Sequence, residues 1–296
     1  MKRYIAALLL FGANGVVASF IGLPSGQIVL LRSVIGGALL LALFLLGGRR
    51  FSGLKNRRDV LLIALSGAAM AADWLFLYEA YKQIGVSLGM LINYTGPAIV
   101  IAFSPLVLKE KITSEKLIAL AMALLGAVLI SGKAVIGGMN VWGIVCAALS
   151  AAAYAVMVLS NKLVREIKGE ENATMQILFT TLVVVIFSLV RHDVPAHIDN
   201  ADLLPVLLLG FVNTGLACYL YFSSIGGLPA QTVAVCGYIE PLSAVLFSAV
   251  ILGERMSPVQ LLGAALILGG ALFGTRFRGR CTAKNAQSTP HPSEKI

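Results

Sequence analysis

Apolar residues run along the chain in ten blocks separated by short polar breaks, covering approximately 4–22, 28–48, 60–80, 84–108, 114–132, 141–161, 172–191, 203–223, 228–252 and 257–275. A helix needs about 20 mostly apolar residues to cross about 30 Å of hydrocarbon. Each block therefore predicts a spanning helix, because in lipid a helix satisfies its own backbone groups. The connection 192–202, as long as any other, carries Asp193, Asp199, Asp202 and Pro195. Residues 276–296 are polar, with Pro290 and Pro292, and read as a disordered tail. The apolar run after Met1-Lys2-Arg3 could be a signal peptide. Its length, and its interruption by Asn14 and Gly15, favour an uncleaved first helix.

Composition agrees with the pattern. The chain has 296 residues, 58% hydrophobic and 12% charged, and a mean hydropathy of +0.89. A soluble domain carries about 25% charge. An ordinary soluble enzyme, a nucleic-acid-binding module and a disordered protein are excluded. The net charge of +9 matters through its placement. With the N-terminus in the cytoplasm, 18 of the 23 Lys and Arg fall in cytoplasmic segments. Four, Lys82, Lys133, Arg191 and Arg255, fall outside, and Arg32 lies within the second block. By the positive-inside bias, both termini are expected in the cytoplasm and the chain in the plasma (inner) membrane. Cys146, Cys218, Cys236 and Cys281 form no C-x-x-C pair, and the first three read as packing residues. His192, His197 and His291 stand outside the apolar blocks, so no metal or cofactor is expected.

The fourth and fifth blocks repeat as the ninth and tenth at an offset of 144 residues. Over 46 aligned pairs there are 11 identities, among them Tyr94/Tyr238, Pro97/Pro241, Glu110/Glu254 and Gly126/Gly270. Five spans per half is an odd number, so the second half enters the membrane from the opposite side. Such an inverted repeat is typical of secondary transporters. The expected organisation is a first repeat over 1–138, a second over 139–275 and a cytoplasmic tail over 276–296.

Several motifs carry a family resemblance. They are Phe11-Gly12-Ala13-Asn14, Arg32, Asn93-Tyr94-Thr95-Gly96-Pro97 with Lys109-Glu110-Lys111, and Gly237-Tyr238-Ile239-Glu240-Pro241 with Gly253-Glu254-Arg255. On these, the chain resembles an EamA-type member of the drug/metabolite transporter superfamily over about residues 4–275. The resemblance implies an all-α membrane protein of ten helices in two inverted five-helix repeats around a central cavity. It also implies small organic substrates, such as amino acids or drug-like compounds, and a tendency to efflux. Two departures stand out. The family often has Trp where Phe11 stands, and Glu-Pro where Gly96-Pro97 stands.

Charges inside spans are costly and need a reason. Glu240 lies twelve residues into the ninth block, about 18 Å deep at 1.5 Å per residue. Pro241 follows it and frees carbonyls one turn earlier, so the site suits a proton, a cation or a substrate amine. A hydrogen-bonded structural Glu at a helix kink is the competing reading. Asp73, beside Trp74, either lines the cavity or pairs with Arg32. Arg32 either snorkels to the outer headgroups or binds a substrate carboxylate. Asn14, Asn93, Tyr94 and Tyr238, with Asn213, Tyr219 and Tyr221, form a polar and aromatic set within the spans. Interhelical hydrogen bonding explains part of this set. Trp74 could stack on a flat or apolar solute. Pro97 and Pro241 are the expected helix breaks.

Secondary transport by alternating access, with proton coupling as an option, is the leading reading. The chain lacks a G-x-x-x-x-G-K-[ST] phosphate loop. A solute channel or facilitator without ion coupling is the first alternative. A membrane-embedded enzyme is the second, with no H-E-x-x-H to support it. The expected partners are a small-molecule substrate, the bilayer and protons, with no nucleic acid. Oligomeric state does not follow from the sequence.

Overall fold

A computed structural model describes residues 1–84, 86–131, 140–195, 197–251 and 258–276. All regular elements among them are helical. Helices α1 (Lys2–Gly12) and α2 (Asn14–Ala18) share the first block, followed by α3 (Ser25–Leu46) and α4 (Arg57–Ile84). Next come α5 (Val86–Asn93), α6 (Gly96–Leu108) and α7 (Ser114–Ser131). The second half holds α8 (Val141–Leu163), α9 (Gly169–Val190) and α10 (Asn200–Leu208). A π-helical segment (Leu209–Leu216) joins α10 to α11 (Ala217–Ile225). The chain ends in α12 (Ala230–Gly237), α13 (Ile239–Ile251) and α14 (Pro258–Arg276).

Five helical stretches among the described residues are long and apolar enough to cross a membrane. They are Ser25–Leu46, Arg57–Ile84, Val141–Leu163, Gly169–Val190 and Asn200–Ile225. The protein is therefore a multi-pass membrane protein. Leucines such as Leu46 and Leu106 stay outward at 86% and 77% exposure, as a lipid-facing surface requires.

The first, fourth and ninth blocks do not form single helices, and their prolines explain two of the three breaks. A proline ring clashes with the carbonyl four residues back. Four before Pro97 is Asn93, where α5 ends; four before Pro241 is Gly237, where α12 ends. In the first block the chain turns at Ala13, and α1 approaches α13 closely. A Cβ on Gly12 would lie 2.8 Å from the Glu240 carbonyl oxygen.

Packing between the halves is reciprocal. Helix α4 lies on α8, as α11 lies on α1; α6 lies on α8, as α13 lies on α1; α4 meets α9, as the π segment meets α3. Exchanging the halves maps each of these contacts onto its counterpart. The same exchange holds at atomic detail between α7 and α14. A Cβ on Gly126 would fall 2.5 Å from the Gly263 carbonyl, and one on Gly270 would fall 2.8 Å from the Ala119 carbonyl. Positions 126 and 270, and 119 and 263, are each 144 apart.

Candidate functional site

A cavity of about 510 Å³ lies between the halves, walled by α1, α2, α3, α4, α5, α8, α11 and α13, with Pro97 of α6 and Gly237 of α12 at the two helix breaks. It reaches the bundle end that carries Ser25 and the exposed Lys82. At the other end, contacts between elements close the bundle. Tyr4 donates to the Val233 carbonyl at 2.8 Å. Glu110 accepts the backbone N–H of Ala230 at 2.9 Å, which caps the start of α12. Lys162 donates to the carbonyls of Ile225 and Leu228.

Four charged residues line this cavity: Lys82 at its mouth, and Arg32, Asp73 and Glu240 further in. Arg32 is only 3% exposed, so it does not snorkel to the headgroups. Its Nε donates to Thr214 Oγ1 at 2.9 Å and its Nη1 to the Tyr78 hydroxyl at 3.4 Å. The guanidinium carbon sits 4.4 Å from the centre of the Trp74 ring, a cation–π contact. Thr214 reaches Arg32 from the π segment, where its hydroxyl donates to the Leu209 carbonyl five residues back at 2.8 Å. Widened turns of this kind recur at functional positions.

Asp73 does not pair with Arg32; no ion pair joins them among the described residues. Its Oδ1 accepts Ser150 Oγ at 2.5 Å and Asn93 Nδ2 at 3.1 Å, and Asn93 also donates to Ser150 at 2.6 Å. This triad ties α4, α5 and α8 together beside the cavity. The carboxylate of Glu240 receives no hydrogen bond from the described residues. The amide oxygen of Asn14 is buried and likewise accepts none. The Tyr221 hydroxyl, also on the cavity wall, is buried and makes no hydrogen bond among the described residues. Buried polar atoms are normally partnered, so Asn14, Tyr221 and Glu240 have capacity left for a ligand.

The structure sorts the sequence-based set. Asn14, Arg32, Asp73, Trp74, Asn93, Tyr94, Pro97, Tyr221 and Glu240 all line the cavity. Tyr238 stands behind the wall; its hydroxyl donates to the Tyr94 carbonyl at 2.6 Å and braces the two broken helices against each other. Pro241 is buried next to it. Asn213 donates to the Leu10 carbonyl, and Tyr219 to Glu170 at the far end of the bundle, so neither joins the site. Sequence reasoning missed Ser150, Tyr154, Tyr78 and Thr214. Tyr154, one turn after Ser150 in an alanine-rich block, was a usable signal. Thr214 offered none, because its role depends on the π turn.

Arrangement and sequence lead to one family. The EamA-like transporter family matches residues 4–132 and 141–276. The chain is 24% identical over 285 residues to the uncharacterized transporter YxxF of Bacillus subtilis, covering 94% of this chain and 90% of that one. It is 25% identical over 228 residues to a probable amino-acid metabolite efflux pump of Salmonella typhimurium, covering 72% and 75%. A solved crystal structure shares the fold at a TM-score of 0.80 and 22% identity, covering 93% of this chain and 97% of that one. With two matching segments that together span nearly the whole chain, this protein belongs to the EamA-like transporter family.

Proposed function

We propose that the protein is a secondary active transporter that exports small organic metabolites from the cytoplasm by alternating access. Ten spanning helices in two inverted repeats form the framework, divided as 1–138 and 139–275. The observation that carries this reading is the cavity between the halves, open towards Lys82 and closed at the Tyr4 end, with Arg32, Asp73 and Glu240 on its walls. Exchanging the conformations of two inverted halves would close one end and open the other. Arg32 offers a bidentate donor to a carboxylate, and Glu240 an acceptor for an amine or a proton. Trp74, Tyr94 and Tyr154 supply flat apolar walls. A small solute bearing both charges fits this combination.

Glu240 is the proton carrier in this scheme. Glu240→Gln keeps shape and hydrogen-bonding capacity while fixing the neutral state. Substrates are first found by a thermal-shift screen of metabolites on purified protein. In proteoliposomes, the variant is expected to keep solute exchange in counterflow and to lose accumulation driven by a pH gradient. Accumulation equal to that of the native protein would make Glu240 structural. Non-saturable flux in both proteins would favour the channel reading instead.

A further inference from the structure

At the closed, basic end of the bundle, a second cavity of about 490 Å³ is lined by Arg3, Arg49, Arg50 and Lys168, with Glu170 and Glu171. Both carboxylates are already engaged. Glu170 pairs with Arg49 Nε at 2.7 Å and accepts the Tyr219 hydroxyl at 2.7 Å. Glu171 accepts the Gly53 N–H at 2.7 Å and the Ser52 hydroxyl at 2.9 Å. The other three cations, Arg3, Arg50 and Lys168, are exposed and make no ion pair among the described residues. Phe44 and Glu170 also belong to an apolar groove of about 260 Å³ on the outside of the bundle, between α3, α9 and the π segment with α11. Leu39, Leu43 and Leu216 form its sides over Gly215. Leu43 and Leu216 face outwards, at 57% and 44% exposure.

We infer that this cavity and groove together bind one anionic phospholipid of the leaflet on the basic side. The phosphate sits among Arg3, Arg50 and Lys168, and an acyl chain runs along Leu43 and Leu216. A basic cluster that continues into an apolar groove between helices has the charge and polarity of such a lipid. A soluble phosphate would meet the cations and leave the groove unfilled. A neutral lipid would fill the groove and leave the cations unpaired. The transport reading plays no part in this inference, which needs only that the bundle lies in a membrane.

Native mass spectrometry of the full chain, titrated with dioleoyl-phosphatidylglycerol or dioleoyl-phosphatidylcholine, tests it. Phosphatidylglycerol is expected to bind at least about tenfold more tightly. The double change Arg50→Gln with Lys168→Gln should weaken it about 25-fold, from about fivefold per cation, and leave phosphatidylcholine unchanged. Leu216→Trp, which fills the groove, should weaken both lipids. Arg58→Gln with Lys111→Gln removes the same charge from the same end, outside the cluster, and should change neither. All four of these cations are exposed, so the folded state tolerates their loss. Equal binding of the two lipids, or equal weakening by the two double changes, would overturn the site. Displacement of phosphatidylglycerol by equimolar glycerol phosphate would show a soluble-anion site and overturn the lipid.

Discussion

Arg32 illustrates how much a single buried charge needs. It is held by Thr214, Tyr78 and the face of Trp74, three partners from two other elements. Lysine has neither the planar fork nor the stacking surface. Arg32→Lys is therefore expected to weaken the thermal shift produced by any carboxylate ligand found on screening, by roughly 1–2 kcal/mol of binding. An unchanged shift would remove Arg32 from the site. Asp73 poses a different question, because its donors are Ser150 and Asn93 rather than a cation. An amide oxygen at position 73 accepts the same two bonds. Asp73→Asn should therefore melt near the native temperature, whereas Ser150→Ala should cost roughly 1–3 kcal/mol of stability by stripping a donor from a buried acceptor. Glu240, Asp73 and Arg32 stood out in the sequence because charge within an apolar block is costly. Ser150 and Thr214 did not, since hydroxyls are common in spans and usually satisfy themselves on their own helix.

Among elements, the broken helices and the glycine contacts carry the architecture. Pro97 and Pro241 end α5 and α12 at equivalent places, and Tyr238 then bonds across to Tyr94. The sequence showed the prolines but not this bond, which exists only because the two breaks meet. Gly126 and Gly270 lie against opposing backbone, so a side chain at either one must push α7 and α14 apart. Gly126→Val and Gly270→Val should each cost roughly 1–3 kcal/mol, read as lower melting temperatures of similar size. A large effect at one glycine alone would break the reciprocity. Gly226 has nothing within 4 Å of a built Cβ, and Gly226→Ala serves as the neutral control. Glu110, in the turn after α6, caps α12 across the closed end. Its repeat partner Glu254 lies outside the described residues. Glu110→Ala should loosen that closure, so that a cysteine replacing Leu8 at the cavity wall is labelled faster from the basic side. Unchanged labelling would show that Tyr4 and Lys162 hold the closure without it.

For the whole molecule, topology is the coarsest claim and the easiest to test. Replacing Cys281 leaves Cys146, Cys218 and Cys236, all buried. In that background, His197→Cys should be labelled in intact cells, and Lys55→Cys only after permeabilisation. The opposite pattern would invert the molecule and reverse the proposed direction of export. The membrane class, the approximate blocks, the charge asymmetry and the repeat were all legible in the chain, because lipid imposes them block by block: about 20 apolar residues per crossing, with cations kept to one side. An offset of 144 is likewise a property of the string. Tertiary structure decided what faces what. It turned Arg32 inwards, separated it from Asp73, set Tyr238 behind the cavity wall and left Glu240 and Asn14 without donors among the described residues. It also gathered Arg3, Arg50 and Lys168 beside a lipid-facing groove from three distant stretches of chain. These outcomes depend on helix rotation, on a π turn and on contacts between residues more than a hundred positions apart. Hydrophobic pattern says where a helix crosses the membrane, but every face of a nearly all-apolar helix reads alike, so only packing selects the one that turns inwards.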